Sequence, residues 1–161
     1  MTSSRNFAMA AVALVGWMVM VLPVHSQLAP FAGLSGSWTG SGKVALSDGS
    51  NERLRCRAAY RVDPSGVRLQ QTLKCASDSY TFDLSSEVLS EGSRISGTWS
   101  EASRNVSGTL QGHSNGDSIS LVADSIGFSV NLNLTTRGNR QSVSIESQGG
   151  IRSVSIAMTR G

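Results

Sequence analysis

The stretch "ERLRCRAAYR" (52–61) gathers the residue types in this chain best suited to recognition chemistry. Arg53, Arg55 and Arg57 recur at every second position, and Arg61 continues the series. On an extended chain side chains alternate between faces, so this spacing puts the guanidiniums on one side. Arg68 and Lys74 share that side on the run that follows. Such a patch suits an anionic surface: lipid head groups, envelope phosphates, acidic polysaccharide or a protein partner. The same charges also suit a plainer task, guarding a solvated strand against pairing with another chain. Aromatics do not interleave with the arginines on that face, which argues against single-stranded nucleic acid. Within the same stretch lies Cys56, and Cys75 is the second of only two cysteines. An even pair in an oxidising compartment reads as a disulfide. A four-residue loop at 64–67, within and beyond "DPSG" (63–66), sets Cys56 opposite Cys75. A register shifted by two residues sets Leu73 there and Cys75 on the diagonal. Both thiols share one face either way, and closing this loop adds about 3 kcal/mol in the chain-entropy model. No C-x-x-C is present to support a redox pair.

Catalysis finds little support in the remaining residues. A serine or cysteine nucleophile needs an imidazole within hydrogen-bond reach. Beyond residue 26 the only histidine is His113, which alternates onto the polar face beside the turn "SNGD" (114–117). One histidine and a bonded cysteine pair cannot complete a zinc site, and a haem-binding barrel would have to use His113 as its axial ligand. Asp83, Glu87, Glu91 and Glu101 fall on polar faces or turns without a facing carboxylate. The expectation is a non-enzymatic protein with no catalytic residue, no metal and no cofactor.

The elements that position these residues are strands. The N-terminus reads as an export signal: Arg5, an uncharged run at 7–24, then Val24 and Ser26 at the −3 and −1 positions of a cleavage site before Gln27. The expected division is a signal peptide at 1–26 and one domain at 27–161, periplasmic or secreted and not transmembrane after cleavage. Of the 14 lysines and arginines only Arg5 is lost with that segment, and the 11 acids all remain. A net charge that small implies no nucleic-acid partner. Alternation then predicts ten strands at 37–46, 52–62, 67–76, 80–86, 94–100, 106–113, 118–124, 128–136, 141–146 and 152–160. Short hairpin turns join them into an antiparallel meander, which closes to remove its edges. One face of every strand is apolar. Strands expected to average seven to eight residues are short for a membrane barrel, and no aromatic girdles appear. Gly40, Gly42, Gly97, Gly108 and Gly112 on the apolar face allow sharp corners. The apolar face is therefore expected inside.

Trp38 opens the first strand and Arg160 ends the last, both on the apolar face. In a closed antiparallel barrel they meet, with the guanidinium over the indole, a contact worth about 0.5–2 kcal/mol. "GSW" (36–38) together with the C-terminal Arg160 resembles the Gly-x-Trp plus arginine pattern of the calycin superfamily, the lipocalin-like and avidin-like barrels. The resemblance rests on Gly36, Trp38 and Arg160 and implies an all-β, up-and-down barrel closed by that pair. Middle-loop lipocalin motifs and the avidin pocket tryptophans are missing, so it implies no particular ligand. The leading expectation is a barrel holding a small apolar or amphipathic ligand, with Tyr60, Phe82, Trp99 and Phe128 facing it. The alternative is a solid-cored barrel, an envelope scaffold or protein inhibitor working through its basic outer face.

Overall fold

A computed structural model describes residues 29–161. The signal and cleavage site expected at 1–26 lie outside the described residues. Ten strands follow in order: β1 (Gly36–Leu46), β2 (Asn51–Val62), β3 (Arg68–Ala76), β4 (Thr81–Glu91), β5 (Arg94–Glu101), β6 (Val106–Asn115), β7 (Ser118–Ser125), β8 (Phe128–Arg137), β9 (Arg140–Glu146) and β10 (Ile151–Arg160). Each pairs antiparallel with the next, and β1 pairs with β10, so the sheet closes into an up-and-down barrel. No helix occurs among the described residues. The alternating pattern carries the fold: Leu54, Cys56, Ala58 and Tyr60 of β2 are buried, while Arg53, Arg55, Arg57 and Ala59 between them are exposed. A slip of one residue would send every buried side chain to solvent, so the apolar face also sets the register.

Strand length departs from expectation. β4 runs to Glu91, although "SSE" (85–87) reads as its end; Val88 and Ser90 continue the inward row and are buried. Strands span seven to twelve residues, so length does not separate this barrel from a membrane one. Polarity does: the interior takes Trp38, Val44, Leu54 and Ile95, all almost wholly buried, whereas the outer face is serine, threonine, asparagine and charge. A lipid-embedded barrel needs the reverse.

Inward glycines set how tightly the wall coils. A Cβ on Gly40 would collide with the carbonyl of Ala157, and one on Gly108 with that of Asp124. Cys56 lies directly opposite Cys75 and is bonded to it, the register of the four-residue loop. Trp38 lies directly opposite Arg160, whose guanidinium sits 5.4 Å from the indole centroid.

Candidate functional site

The two ends of the barrel differ, and the difference defines a cavity. At the end where β1 begins, residues 29–35 fold across the opening. Phe31 and Leu34 are almost fully buried. The backbone amide of Phe31 donates to the Gly66 carbonyl at 3.1 Å, and the Trp38 indole Nε1 donates to the Leu34 carbonyl at 2.9 Å. Gly66 has a φ of +73° and lies against Ala29 and Ala32, so a side chain there would both strain the turn and lift the plug. Arg160 Nη1 donates to the carbonyls of Gly33 and Ser35 at 2.9 and 3.4 Å. The arginine thus ties the plug to the last strand as well as covering Trp38. The sequence reading left residues 29–35 unassigned; with no period to reveal it, the only signal was Phe31 and Leu34 flanking a Gly-rich start.

Beneath the plug lies a small polar floor. Tyr60 meets Trp38 edge-on, centroids 6.2 Å apart. Its hydroxyl donates to Gln141 Oε1 at 2.7 Å, and Gln141 Nε2 donates to Thr136 Oγ1 at 3.1 Å. Burial pushes the Tyr60 hydroxyl pKa well up, outweighing the opposing effect of Gln141, so the group stays a neutral donor. Gln141 is itself buried, and its pairing meets the rule that buried polar groups be satisfied.

Inside the barrel, under the plug and this polar layer, is a cavity of about 150 Å³. Its wall is aliphatic from β3 round to β10, including Leu73, Leu110, Leu132 and Val143. Polar side chains enter at few points: Tyr60, Ser85, Trp99, and Gln71 with Ser86, which hydrogen-bond to one another at 3.1 Å. Trp99 Nε1 is the buried side-chain nitrogen that lacks a partner among the described residues. The indole lies across Gly108, where a Cβ would come within 3.0 Å of that nitrogen. An unmet buried donor costs about 1–3 kcal/mol, so the Trp99 ring is held by packing alone.

The opposite end is rimmed by aromatics. Phe128 packs against Trp99 with centroids 5.8 Å apart and is 42% exposed, and Ile126 at the β7–β8 tip is fully exposed. Phe82 stacks on Tyr80 at 6.3 Å and lies under the Arg104 guanidinium at 5.0 Å. Of the four expected ligand-facing residues, the structure puts Tyr60 and Trp99 on the cavity wall and Phe82 and Phe128 at the mouth. Phe82 and Phe128 do have inward parity, but they stand near strand ends, beyond the cavity. The barrel is not packed solid, since it encloses that volume, which goes against the solid-cored alternative and not the leading expectation.

Glu101 is a second correction. It does not sit on a polar face: it ends β5 with inward parity and is buried. Its carboxylate accepts from the backbone amides of Asp83, Ser103 and Arg104 at 2.9, 3.1 and 2.8 Å. Burial raises its pKa, but these donors together prevail and hold it below the ordinary 4.5. This is a structural clasp on the β5–β6 hairpin. His113 is exposed on β6, and among the described residues no three His, Cys, Asp or Glu side chains gather in a metal-holding group.

Arg53, Arg55, Arg57, Arg68 and Lys74 all point outward and are exposed. Lys74 is paired, however, its Nζ 2.9 Å from Asp83 Oδ2. Arg68 stands at the plugged end of β3, opposite Leu89, away from the β2 row. Lys43 on β1, which sequence reading passed over, lies directly opposite Arg53.

The chain matches no protein-family model and no curated relative. Solved structures share its fold, among them these two. Rv2717c from M. tuberculosis superposes with a TM-score of 0.64 at 12% identity, over 81% of this chain and 94% of that one. The S-type phycobiliprotein lyase CpeS from Guillardia theta gives 0.55 at 10% identity, over 81% and 90%. Both are ten-strand antiparallel barrels, so the likeness is one of fold.

Proposed function

We propose that this protein is an exported binding protein that holds a small apolar or amphipathic ligand inside its barrel, with the apolar part in the cavity and any polar end at the aromatic mouth. The observation that carries this reading is the cavity, plugged at one end and lined almost wholly by aliphatic side chains. An apolar cavity of this volume stays dry and accepts a molecule the size of benzene. It therefore suits one ring or a short alkyl segment, not an extended lipid. Arg104 at the mouth, over Phe82 and 3.4 Å from the Glu101 carboxylate, sets an ion pair where an amphipathic ligand would leave its head group. Export rests on the pattern at 1–26 and on the Cys56–Cys75 disulfide, which suits an oxidising compartment.

Catalysis is not part of this proposal: among the described residues, no histidine or carboxylate lines the cavity beside Ser85 and Ser86 to activate a hydroxyl. Native mass spectrometry of the purified protein should find a fraction of molecules heavier by one small apolar compound, released when the fold is disrupted. If only the bare polypeptide is found, and solvent-extracted protein takes up no small hydrophobic compound from a mixed panel, the reading is wrong.

A further inference from the structure

The outward positions of β1, β2 and β3 carry seven cations and no carboxylate: Lys43, Arg53, Arg55, Arg57, Arg61, Arg68 and Lys74. Guarding an edge does not explain them. β2 is hydrogen-bonded on both sides, to β1 and to β3, and a closed barrel has no edge to guard. The charges are also placed against one another. Lys43 faces Arg53, and Arg57 faces Lys74, directly across neighbouring strands. Like charges in that position destabilise a sheet. Only Lys74 is relieved, by Asp83. Nearby carboxylates are engaged elsewhere: Glu52 accepts from Ser77 and Ser79, and Asp63 from the amides of Val67 and Arg68. Among the described residues, Lys43, Arg53, Arg55 and Arg57 have no ion-pair partner.

The shape of the face narrows the partner. Arg55, Arg57 and Lys74 border a shallow groove that crosses β1–β4, shared with Thr39, Thr72, Phe82 and Asp83, while Lys43 and Arg53 border a second depression over β1, β2 and β10 with Ser41 and Ser155. Arg53 to Arg57 spans about 13 Å of strand at ~3.3 Å per residue. Membrane surfaces are bound by charge together with inserted apolar side chains. Here the exposed large apolar residues Val122, Ile126 and Phe128 lie on β7, β8 and the turn joining them, across the barrel from β2. Single-stranded nucleic acid would need aromatic platforms, and the uncharged outward residues of β1–β3 are Ser, Thr, Asn, Gln and Ala. A straight row of guanidiniums along β2, passing over two depressions that carry hydroxyls, fits a linear chain bearing repeated carboxylate or sulfate groups. We propose that the outer face of β1–β3 binds a linear acidic polysaccharide, with Lys43, Arg53, Arg55 and Arg57 on its successive anionic groups.

Heparin serves as the probe. Binding to the purified protein is measured from about 0.05 to 0.5 M salt, for the parent and for Arg53, Arg55 and Arg57 all changed to Ser. On the scale of single-stranded polyanions each cation contributes ~0.7 to the log–log salt slope. Four contacts predict a parent slope of about −3, falling to about −1 in the triple variant. A control with Arg94, Arg137 and Arg140 changed to Ser removes the same charge elsewhere and should keep the parent slope. Arg55→Glu alone should weaken binding and decides the matter if the triple variant does not fold. Absence of heparin binding by the parent at the lowest salt overturns the proposal. Equal losses in both triple variants overturn it too, by showing a net-charge effect. Binding to phosphatidylglycerol vesicles without binding to heparin assigns the face to a bilayer and likewise overturns it.

Discussion

At the scale of single residues, the side chains with the most consequence are those whose polar groups are met inside the wall. Glu101 is the clearest case. Its carboxylate closes three backbone amides that would otherwise be left without acceptors. Its pKa in the folded protein lies below the ordinary value of 4.5. A depressed carboxylate contributes stability that is present above the unfolded-state pKa and disappears as pH falls through the folded-state value. Glu101→Gln should therefore melt below the parent at pH 7, by about 1–2 kcal/mol for charge-assisted hydrogen bonds lost. That gap should narrow as pH falls from about 5 towards 2. Thermal melts across that range check it, and a gap that stays constant contradicts the assignment. Nothing in the sequence marks Glu101 out: "WSEAS" reads as a strand running into a turn, and its burial follows from parity carried one residue further than expected. Tyr60 and Trp99 were legible as inward residues from alternation. That Phe82 and Phe128 stand at the mouth was not, because alternation assigns a face and says nothing of depth along the barrel axis.

At the scale of elements, strand number, order and pairing were legible because the period of two persists through the chain and turn residues punctuate it. Boundaries were less so. Serines at 85 and 86 look like a turn, yet β4 continues because Val88 and Ser90 fill the inward row. The plug was not legible at all: six or seven residues have too few repeats to show a period, and their burial depends on a barrel end that exists only once the sheet has closed. The seam between β1 and β10 joins these parts. Trp38, fully buried, contacts Arg160, Tyr60 and the Leu34 carbonyl. Trp38→Ala should cost about 3–5 kcal/mol through the void it leaves. Arg160→Ala should cost about 0.5–2 kcal/mol through the cation–π contact, with the plug loosened as its two carbonyl partners are released. Denaturant melts of both variants test the seam, and two unchanged midpoints would show that the closure does not depend on this pair.

At the scale of the whole molecule, the barrel joins a hollow apolar interior to a lopsided exterior, cationic over β1–β3 and dominated by uncharged polar residues over much of the remaining wall. The outer face was legible in the spacing of its arginines. The cavity was not, since volume depends on how tightly inward glycines let the strands coil and on which rotamers the aliphatic residues adopt. Whether that cavity is a ligand site is the central claim. Ala123 lines it and is buried, so Ala123→Leu puts three carbons into the space without adding a polar atom. The decisive measurement is the melting temperature of the parent and of Ala123→Leu, each with and without benzene. A ligand at ten times its Kd stabilises the state that binds it by about 1.4 kcal/mol, worth roughly 5 °C for a domain of this size. The account predicts that shift in the parent and its loss in Ala123→Leu, with the unliganded variant melting at or above the parent. No shift in the parent, or an equal shift in both, would contradict it.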